Sequence, residues 1–153
     1  MKVAIITAST AVYKGEQEDA SGKVIRKMVE EAGLDVVFMK ALPTDKTVLS
    51  TVFQRMADGN LADLILTTGG AGCGPEDCTP EATMEVVDRP LLGIPEGMRA
   101  HMLTLTKRAM LNRAAAGIRG KVVIVNLPGK AGAVKECLGY ILPEVMHAVE
   151  VAQ

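Results

Sequence analysis

Four short apolar segments constrain the fold of this chain more than any other feature of its sequence. They are residues 3–7 (VAIIT), 34–40 (LDVVFMK), 62–68 (ADLILTT) and 121–128 (KVVIVNLP). Each reads as a nearly continuous apolar run, whereas a strand with one face in water alternates apolar and polar residues. Segments with helical spacing lie between the runs. This pattern predicts an α/β fold in which helices cover a parallel sheet on both faces.

The helices between the first three strands have clear ends in the sequence. The first predicted helix has apolar residues at helical spacing after Lys23 and stops at Gly33, since glycine favours the position just after a helix. The Pro43–Asp45 turn opens the second helix, which ends at Gly59.

The later helices are less sharply bounded. Thr79 is expected to act as the N-cap of a helix that has Pro80 at its first position. Another helix is expected around residues 95–105, while residues 108–116 are ambiguous. A further helix follows the last strand, and Pro143 is expected to open a separate final helix.

Length and charge exclude several classes of protein. The chain has 153 residues, which predicts one domain spanning 1–153. With a net charge of −1 and only 3% aromatic residues, the chain lacks the positive charge and the stacking side chains that bind nucleic acid. No segment approaches the roughly 20 apolar residues of a membrane span, and the initial run is too short for a signal peptide. We therefore expect a cytoplasmic protein without membrane contact.

Four loops are expected to meet at one edge of the sheet, because ligands of open parallel sheets bind at the carboxyl ends of the strands. They are residues 9–22, the 43–45 turn, the glycine-rich stretch 69–78 and residues 126–132. Three of these loops lead into a helix N-terminus, whose free N–H groups attract anions. The arrangement predicts a site for phosphates or another polyanion.

Two common phosphate motifs are absent from these loops. A P-loop needs Gly-Lys-Ser/Thr, but valine follows Gly-Lys at both 22–24 and 120–122. The dinucleotide fingerprint G-x-G-x-x-G belongs after the first strand, whereas Gly70-Ala71-Gly72 follows the third. A nicotinamide-dependent dehydrogenase is therefore disfavoured.

Asp77 lies inside the glycine-rich stretch. If this stretch binds a phosphate, the Asp77 carboxylate would repel it unless a cation lay between the two groups. Magnesium, which is held by oxygen ligands together with phosphates, would supply that cation. Asp77 is equally explained as a residue that turns or caps the loop. Cys73 and Cys78 are two ligands short of a structural zinc site and are better explained as small loop residues.

Three segments resemble one known family in the correct order. They are TTGGAGCGPEDCTPEAT at 67–83, GEQEDASG at 15–22, and MLNRAAAGIRGKVVIVNLPGKAGAVKECL at 110–138. The chain is similar to the molybdopterin adenylyltransferases, which are the MogA/MoaB-type proteins of molybdenum cofactor synthesis and are related to the G domain of gephyrin. The resemblance covers nearly the whole chain.

The resemblance implies a fold, a reaction and partners. The fold is a three-layer α/β/α domain with a mostly parallel sheet, which assembles as a homotrimer or alternatively a hexamer. The reaction transfers AMP from Mg-ATP to the terminal phosphate of molybdopterin and releases pyrophosphate. The product then receives molybdate, usually on another protein, and organisms that use tungsten employ the same chemistry.

The resemblance also implies site residues. Asp77 and Asp45 are the expected catalytic and Mg²⁺-binding carboxylates. The residues expected to bind ATP and molybdopterin are Ser9, Gly69, Gly70, Gly72, Gly74, Thr79, Asn112, Arg113, Asn126, Pro128 and Gly129.

Several positions depart from the family pattern. Thr44 stands where the family has an aspartate after the second strand, and Asp45 follows one residue later. Asp45 either substitutes for that carboxylate or is only a helix cap. The family's Ser-Asp-Arg is Ser9-Thr10-Ala11 here, and Glu76 replaces a basic residue. Two functions therefore remain open, an active adenylyltransferase and a molybdopterin-binding homologue with little or no transferase activity. An unrelated nucleotide-binding enzyme is a remote third.

Overall fold

The sheet has six strands, and a computed structural model describes all residues, 1–153. The strands are β1 (Lys2–Ala8), β2 (Asp35–Leu42), β3 (Leu64–Thr68), β4 (Arg89–Pro90), β5 (Ala116–Arg119) and β6 (Val122–Leu127). Along the sheet the strand order is β2-β1-β3-β6-β5-β4, with β1–β2, β1–β3 and β3–β6 parallel. The β4–β5 and β5–β6 pairs are antiparallel. The four predicted strands thus form the parallel part of the sheet.

Helices cover both faces of the sheet because successive side chains of the central strands point in opposite directions. The helices are α1 (Thr10–Tyr13), α2 (Ala20–Glu31), α3 (Lys46–Asp58), α4 (Thr79–Val86), α5 (Gly93–Leu103) and α6 (Ala131–Ala152), with a 3-10 helix at Lys107–Leu111. Val3 and Ile5 pack into one apolar cluster with α2, α5 and α6, whereas Ala4 and Ile6 pack into a second cluster with α3 and α4. The predicted three-layer α/β/α architecture is confirmed. No helix combines the length and the apolar character that a membrane span needs.

The antiparallel edge of the sheet was not predicted. β5 spans four residues and follows the ambiguous segment 108–116, and β4 has only two residues. A tight turn joins β5 to β6, with Gly120 at a φ of +58°. Strands this short carry too few residues for a periodic pattern, so only the pairing of β5 with β6 and of β4 with β5 reveals them.

The prediction that Pro143 opens a separate helix is wrong. α6 runs without interruption from Ala131 to Ala152 and contains Pro143. Leu142 and Val145, on either side of the proline, are both buried in the core. The continuous apolar stripe keeps the helix intact, and the tertiary packing outweighs the cost of one interior proline.

Pro143→Ala is expected to stabilise the protein. Proline in a helix interior costs about 3 kcal/mol relative to alanine, and its stiffening of the unfolded chain returns only about 0.4–1 kcal/mol. With allowance for relaxation around the helix, we expect the free energy of unfolding to rise by about 1–2 kcal/mol. Urea denaturation measures the change. Glu144→Ala, at the exposed neighbouring position, should alter stability by less than about 0.5 kcal/mol. A destabilised Pro143→Ala would contradict this account.

Candidate functional site

The glycine-rich loop, defined as residues 69–78, connects β3 to α4 through a very narrow space. Gly69 and Gly70 have φ angles of +87° and +69°, in the left-handed region that favours glycine. A Cβ atom on Gly69 would lie 2.5 Å from the carbonyl oxygen of Ala8, and one on Gly70 would collide with the hydroxyl of Thr79. These two glycines let the backbone turn back between the end of β1 and the start of α4.

Asp77 is held by the loop that contains it. The N–H of Gly74 donates to Oδ2 of Asp77 at 2.9 Å, and the N–H of Asp77 donates to the carbonyl of Gly74 at 3.1 Å. A Cβ atom on Gly72 would lie 2.9 Å from the same Oδ2, so the glycines also leave room for the carboxylate. Asp77 therefore turns the loop, as one interpretation predicted, and also lines the adjacent cleft.

The cleft has a volume of about 550 Å³ and opens at the carboxyl edge of the parallel strands. The glycine-rich loop forms one wall and the segment after β6 forms another. The third wall is the segment from the end of α5 through the 3-10 helix. Arg108 and Lys130 bring positive charge to the lining, and Asp77 brings the single negative charge. The lining residues used below are Gly70, Gly72, Asp77, Thr106, Arg108, Leu111, Asn112, Pro128, Gly129 and Lys130.

A second, smaller recess of about 280 Å³ adjoins the cleft and shares Gly129 and Lys130 with it. Ser9 lines this recess, and its Oγ accepts a hydrogen bond from the N–H of Val12 at 3.2 Å. The recess also contains Asp19, which accepts hydrogen bonds from the hydroxyl of Thr7 at 2.9 and 3.0 Å. The two recesses give room for two ligands side by side.

The N-terminus of α6 lies between these two recesses. Lys130 is its N-cap residue and makes no side-chain cap, and the first intrahelical hydrogen bond runs from the N–H of Val134 to the carbonyl of Lys130. The N–H groups before Val134 have no acceptor within the helix. The helix terminus and the ammonium group of Lys130 together favour an anion.

Thr79 does not contact the cleft, and the prediction that it caps α4 is wrong. Cys78 holds the N-cap position, and Thr79 is the first helical residue. The side chain of Thr79 is fully buried and donates to the carbonyl of Gly69 at 2.9 Å. This hydrogen bond joins the end of the glycine-rich loop to its start.

Asn126 is also fully buried, inside the sheet edge below the cleft. Its amide nitrogen donates to the hydroxyls of Thr67 at 3.0 Å and Thr83 at 2.8 Å. Its Oδ1 accepts from the N–H of Ala115 at 3.1 Å. Asn126 thereby links β3, α4 and the start of β5, and its side chain does not line either recess. Of the predicted second wall, only Pro128 and Gly129 face the cleft.

Arg113 contacts the glycine-rich loop and is not among the residues that line the cleft. Its guanidinium donates to the carbonyls of Gly72 at 2.6 Å and Asp77 at 3.0 Å, and it forms a bidentate pair with Glu81 at 2.8–3.1 Å. Hydrogen bonding to Glu81 raises the pKa of Arg113 above its ordinary value. The preceding residue, Asn112, does line the cleft.

Asp45 is exposed and caps α3, because its Oδ1 accepts a hydrogen bond from the N–H of Val48 at 3.0 Å. The interpretation of Asp45 as a helix cap is confirmed, and its role as a metal ligand stays a prediction. The side chain does not line either recess. Thr44 forms a hydrogen bond between its hydroxyl and that of Thr10 at 3.0 Å. No cluster of three or more His, Cys, Asp or Glu residues is positioned to hold a metal.

The cysteines of the loop have local roles. The thiol of Cys73 donates to the carbonyl of Leu111 at 3.4 Å. Burial raises the pKa of the Cys78 thiol, and the nearby carboxylates of Glu81, Asp45 and Asp77 add to that effect. A thiol with a raised pKa stays protonated at neutral pH and is a poor metal ligand.

The wall formed by the 3-10 helix was missed by the sequence analysis. Thr106, Arg108 and Leu111 lie in or next to the segment that the spacing left ambiguous. They reach the site because the chain folds back after α5. A surface arginine carries no local signal that distinguishes it from its solvated neighbours. Only the tertiary path identifies Arg108 as a lining residue.

The fold and the cleft together define an α/β domain with a cleft of net positive charge at the carboxyl edge of its sheet. The family described as "Probable molybdopterin binding domain" matches residues 4–147. The chain therefore belongs to this family, and the resemblance of the sequence motifs is confirmed.

Individual relatives match over most of their length. The molybdopterin adenylyltransferase of Helicobacter pylori is 35% identical over 150 residues, with 97% of this chain and 85% of that protein covered. The molybdopterin adenylyltransferase of Pyrococcus furiosus is 38% identical over 158 residues, with 99% and 91% covered. The crystal structure of the molybdopterin biosynthesis enzyme MoaB from Thermus thermophilus is 37% identical and superimposes with a TM-score of 0.92, covering 99% of this chain and 95% of that one.

Asn126→Ala is expected to destabilise the protein, because it leaves the hydroxyls of Thr67 and Thr83 and the N–H of Ala115 without their partner. Loss of such a buried network should lower the free energy of unfolding by about 2–4 kcal/mol. Urea denaturation measures it. Thr83→Val removes one of the three contacts and should cost less, about 1–2 kcal/mol. An Asn126→Ala protein as stable as the wild type would show that this side chain is not a structural link.

Proposed function

We propose that the protein transfers AMP from ATP to the terminal phosphate of molybdopterin and releases pyrophosphate. The observation that carries the proposal is the position of Asp77 in the cleft, held by glycine backbone and facing a wall that contains Lys130 and Gly129. The family membership and the relatives named molybdopterin adenylyltransferase over nearly the full chain support the same reaction.

The reaction needs positioned groups and neutralised charge rather than a nucleophile from the protein. An oxygen of the pterin phosphate forms a bond to the α-phosphorus of ATP, while the bond from that phosphorus to the bridging oxygen of pyrophosphate breaks. Lys130, Arg108 and the N-terminus of α6 supply positive charge along the cleft. The shared wall at Gly129 and Lys130 would bring the two substrates together.

The donor set of the cleft fits a magnesium ion. Magnesium is commonly bound by one or two carboxylates together with substrate phosphates. We infer that the carboxylate of Asp77 and the phosphates of ATP would hold it. When bound, magnesium neutralises the charge that builds up on the phosphate oxygens. The protein's own part is to keep Asp77 in place through Gly74 and to leave room at Gly72.

One observation favours the second candidate function, a molybdopterin-binding protein with little or no transferase activity. Thr44 stands at the position of an expected carboxylate, and its hydroxyl pairs with that of Thr10. This neutral pair offers no charge to a metal ion. The proposed transferase therefore rests on Asp77 as its carboxylate.

Assembly, location and onward transfer complete the proposal. We infer a homotrimer, with a hexamer as the alternative. The exposed apolar side chains of Leu105, Met110 and Leu111 near the cleft support association between copies. The reaction would take place in the cytoplasm, and the adenylylated pterin would pass to a molybdate-inserting protein.

The direct test mixes the protein with molybdopterin, ATP and Mg²⁺ and follows adenylylated pterin by mass spectrometry and pyrophosphate release by a coupled assay. We expect both products in equal amounts. Pterin binding without either product would overturn the transferase and leave the binding function.

Asp77→Asn is expected to lower kcat by at least about 100-fold, because several kcal/mol of charge stabilisation depend on the metal and each 1.36 kcal/mol is tenfold in rate. Steady-state kinetics at saturating ATP measure the loss. Glu76→Gln, a change of charge at the exposed adjacent residue, should remain within about threefold of the wild type, a difference of less than 1 kcal/mol. Equal rates for Asp77→Asn and the wild type would reject the metal role.

Asp45→Ser removes the carboxylate and keeps a helix cap, since serine caps helices about as well as aspartate. We expect stability to stay within about 0.5 kcal/mol and kcat to fall no more than about twofold, a difference of under 0.5 kcal/mol. A stable Asp45→Ser variant that loses turnover would instead assign Asp45 as a second catalytic carboxylate.

A further inference from the structure

Arg113 makes an unusually complete set of contacts for a side chain that is partly exposed. Its Nε donates to the carbonyl of Gly72, and its two terminal nitrogens donate to the carbonyl of Asp77 and to both carboxylate oxygens of Glu81. Its backbone N–H also donates to the carbonyl of Ala71 at 2.8 Å. One residue thus bonds the start of the glycine-rich loop, its end and the first turn of α4.

Global stability does not account for this set of Arg113 contacts. The side chains of Arg113 and Glu81 are 38% and 43% exposed, and ion pairs with that much exposure contribute little to folding because water screens them. The planar guanidinium instead provides geometry, since its donors point in fixed directions. It sets the distance between the carbonyls of Gly72 and Asp77, which lie five residues apart on the same loop.

These contacts of Arg113 affect the position of the Asp77 carboxylate. Asp77 Oδ2 accepts a hydrogen bond from the N–H of Gly74, and the backbone carbonyl of Asp77 accepts one from Arg113. The buried side chain of the loop, Ala71, lies near its start, six residues before Asp77. Loss of the Arg113 contacts would therefore leave the backbone of Asp77 less constrained relative to the cleft.

We propose that Arg113 and Glu81 form a positioning unit that fixes Asp77 for the AMP-transfer reaction, without either side chain contacting substrate. This inference rests on the proposed function for its kinetic part only. The sequence resemblance implies that Arg113 binds substrate, whereas its contacts with the glycine-rich loop and Glu81 support a positioning role.

Arg113→Lys tests the proposal in the full-length protein, because lysine keeps the positive charge but lacks the planar guanidinium with its fixed donor directions. Amide hydrogen exchange by NMR should show faster exchange of the Gly74 and Asp77 N–H groups, by about 10-fold or more. The Mg²⁺ concentration for half-maximal AMP transfer should rise by about 10-fold, as is typical when a residue that orients a metal ligand is changed. The KM for molybdopterin should stay within about twofold.

Glu81→Gln provides a second variant that should shift both readouts in the same direction by a smaller factor. In the double variant the shift should be no larger than in Arg113→Lys alone, because the two residues act as one unit. The matched control is Arg119→Lys. Arg119 likewise pairs with a carboxylate, Asp58, and donates to the carbonyl of Val86, but it lies away from the loop. Its variant should leave loop exchange and Mg²⁺ dependence unchanged.

The outcomes separate the two proposals. Wild-type exchange of the Gly74 and Asp77 amides in a folded Arg113→Lys protein would overturn the positioning unit, whatever the kinetics. A large rise in the KM for molybdopterin at unchanged Mg²⁺ dependence would overturn it too, and would return Arg113 to substrate binding. If the wild type transfers no AMP, the proposed function fails, and amide exchange alone then decides whether Arg113 and Glu81 hold Asp77.

Discussion

The close approach of three strand ends at Gly69 is the constraint on which the site depends. A Cβ atom on Gly69 would lie 2.5 Å from the carbonyl of Ala8 at the end of β1, and one on Gly129, after β6, would lie 3.4 Å from the Cα of Gly69. The hydroxyl of Thr79 donates to the carbonyl of Gly69 and closes the loop. Parallel strands end at the same edge of a sheet, so their loops must share limited space there. Glycine at this junction allows the backbones to pack directly against each other, because it has no side chain between them.

That crowding explains why the site is built mainly from backbone and helix termini. Glycines at 70, 72 and 129 line the cleft, and the start of α6 has no side-chain cap, so its first N–H groups lack an acceptor within the helix. Lys130 and Arg108 add positive charge to the same cleft. The carboxylate of Asp77 lies in the same cleft and is held there by the N–H of Gly74. The chemistry of the cleft and the membership of the molybdopterin-binding domain family point to the same class of ligand.

Two polar residues of the family's motifs make contacts within the protein framework. The fully buried Asn126 joins β3 to α4 and bonds the N–H of Ala115 directly before β5, and Arg113 joins the glycine-rich loop to α4. A short motif gives the type of residue at a position but not the groups that its side chain contacts. Side-chain direction depends on the path of the backbone, so a motif alone does not separate ligand contact from support.

The sequence by itself determined the parallel strands, the α/β class and the position of the loops. Apolar runs and helical spacing are properties of neighbouring residues, so they can be read from the order of the residues. Only the tertiary structure decided the antiparallel edge strands, the unbroken helix through Pro143, the crowding at Gly69 and Gly70, and the contacts of Thr79, Asn126, Arg113 and Arg108. Each of these depends on partners distant in the chain, such as the pairing of β5 with β6 or the contact of Arg113 with Glu81. Contacts of that kind arise from packing and leave no periodic signal in the order of the residues.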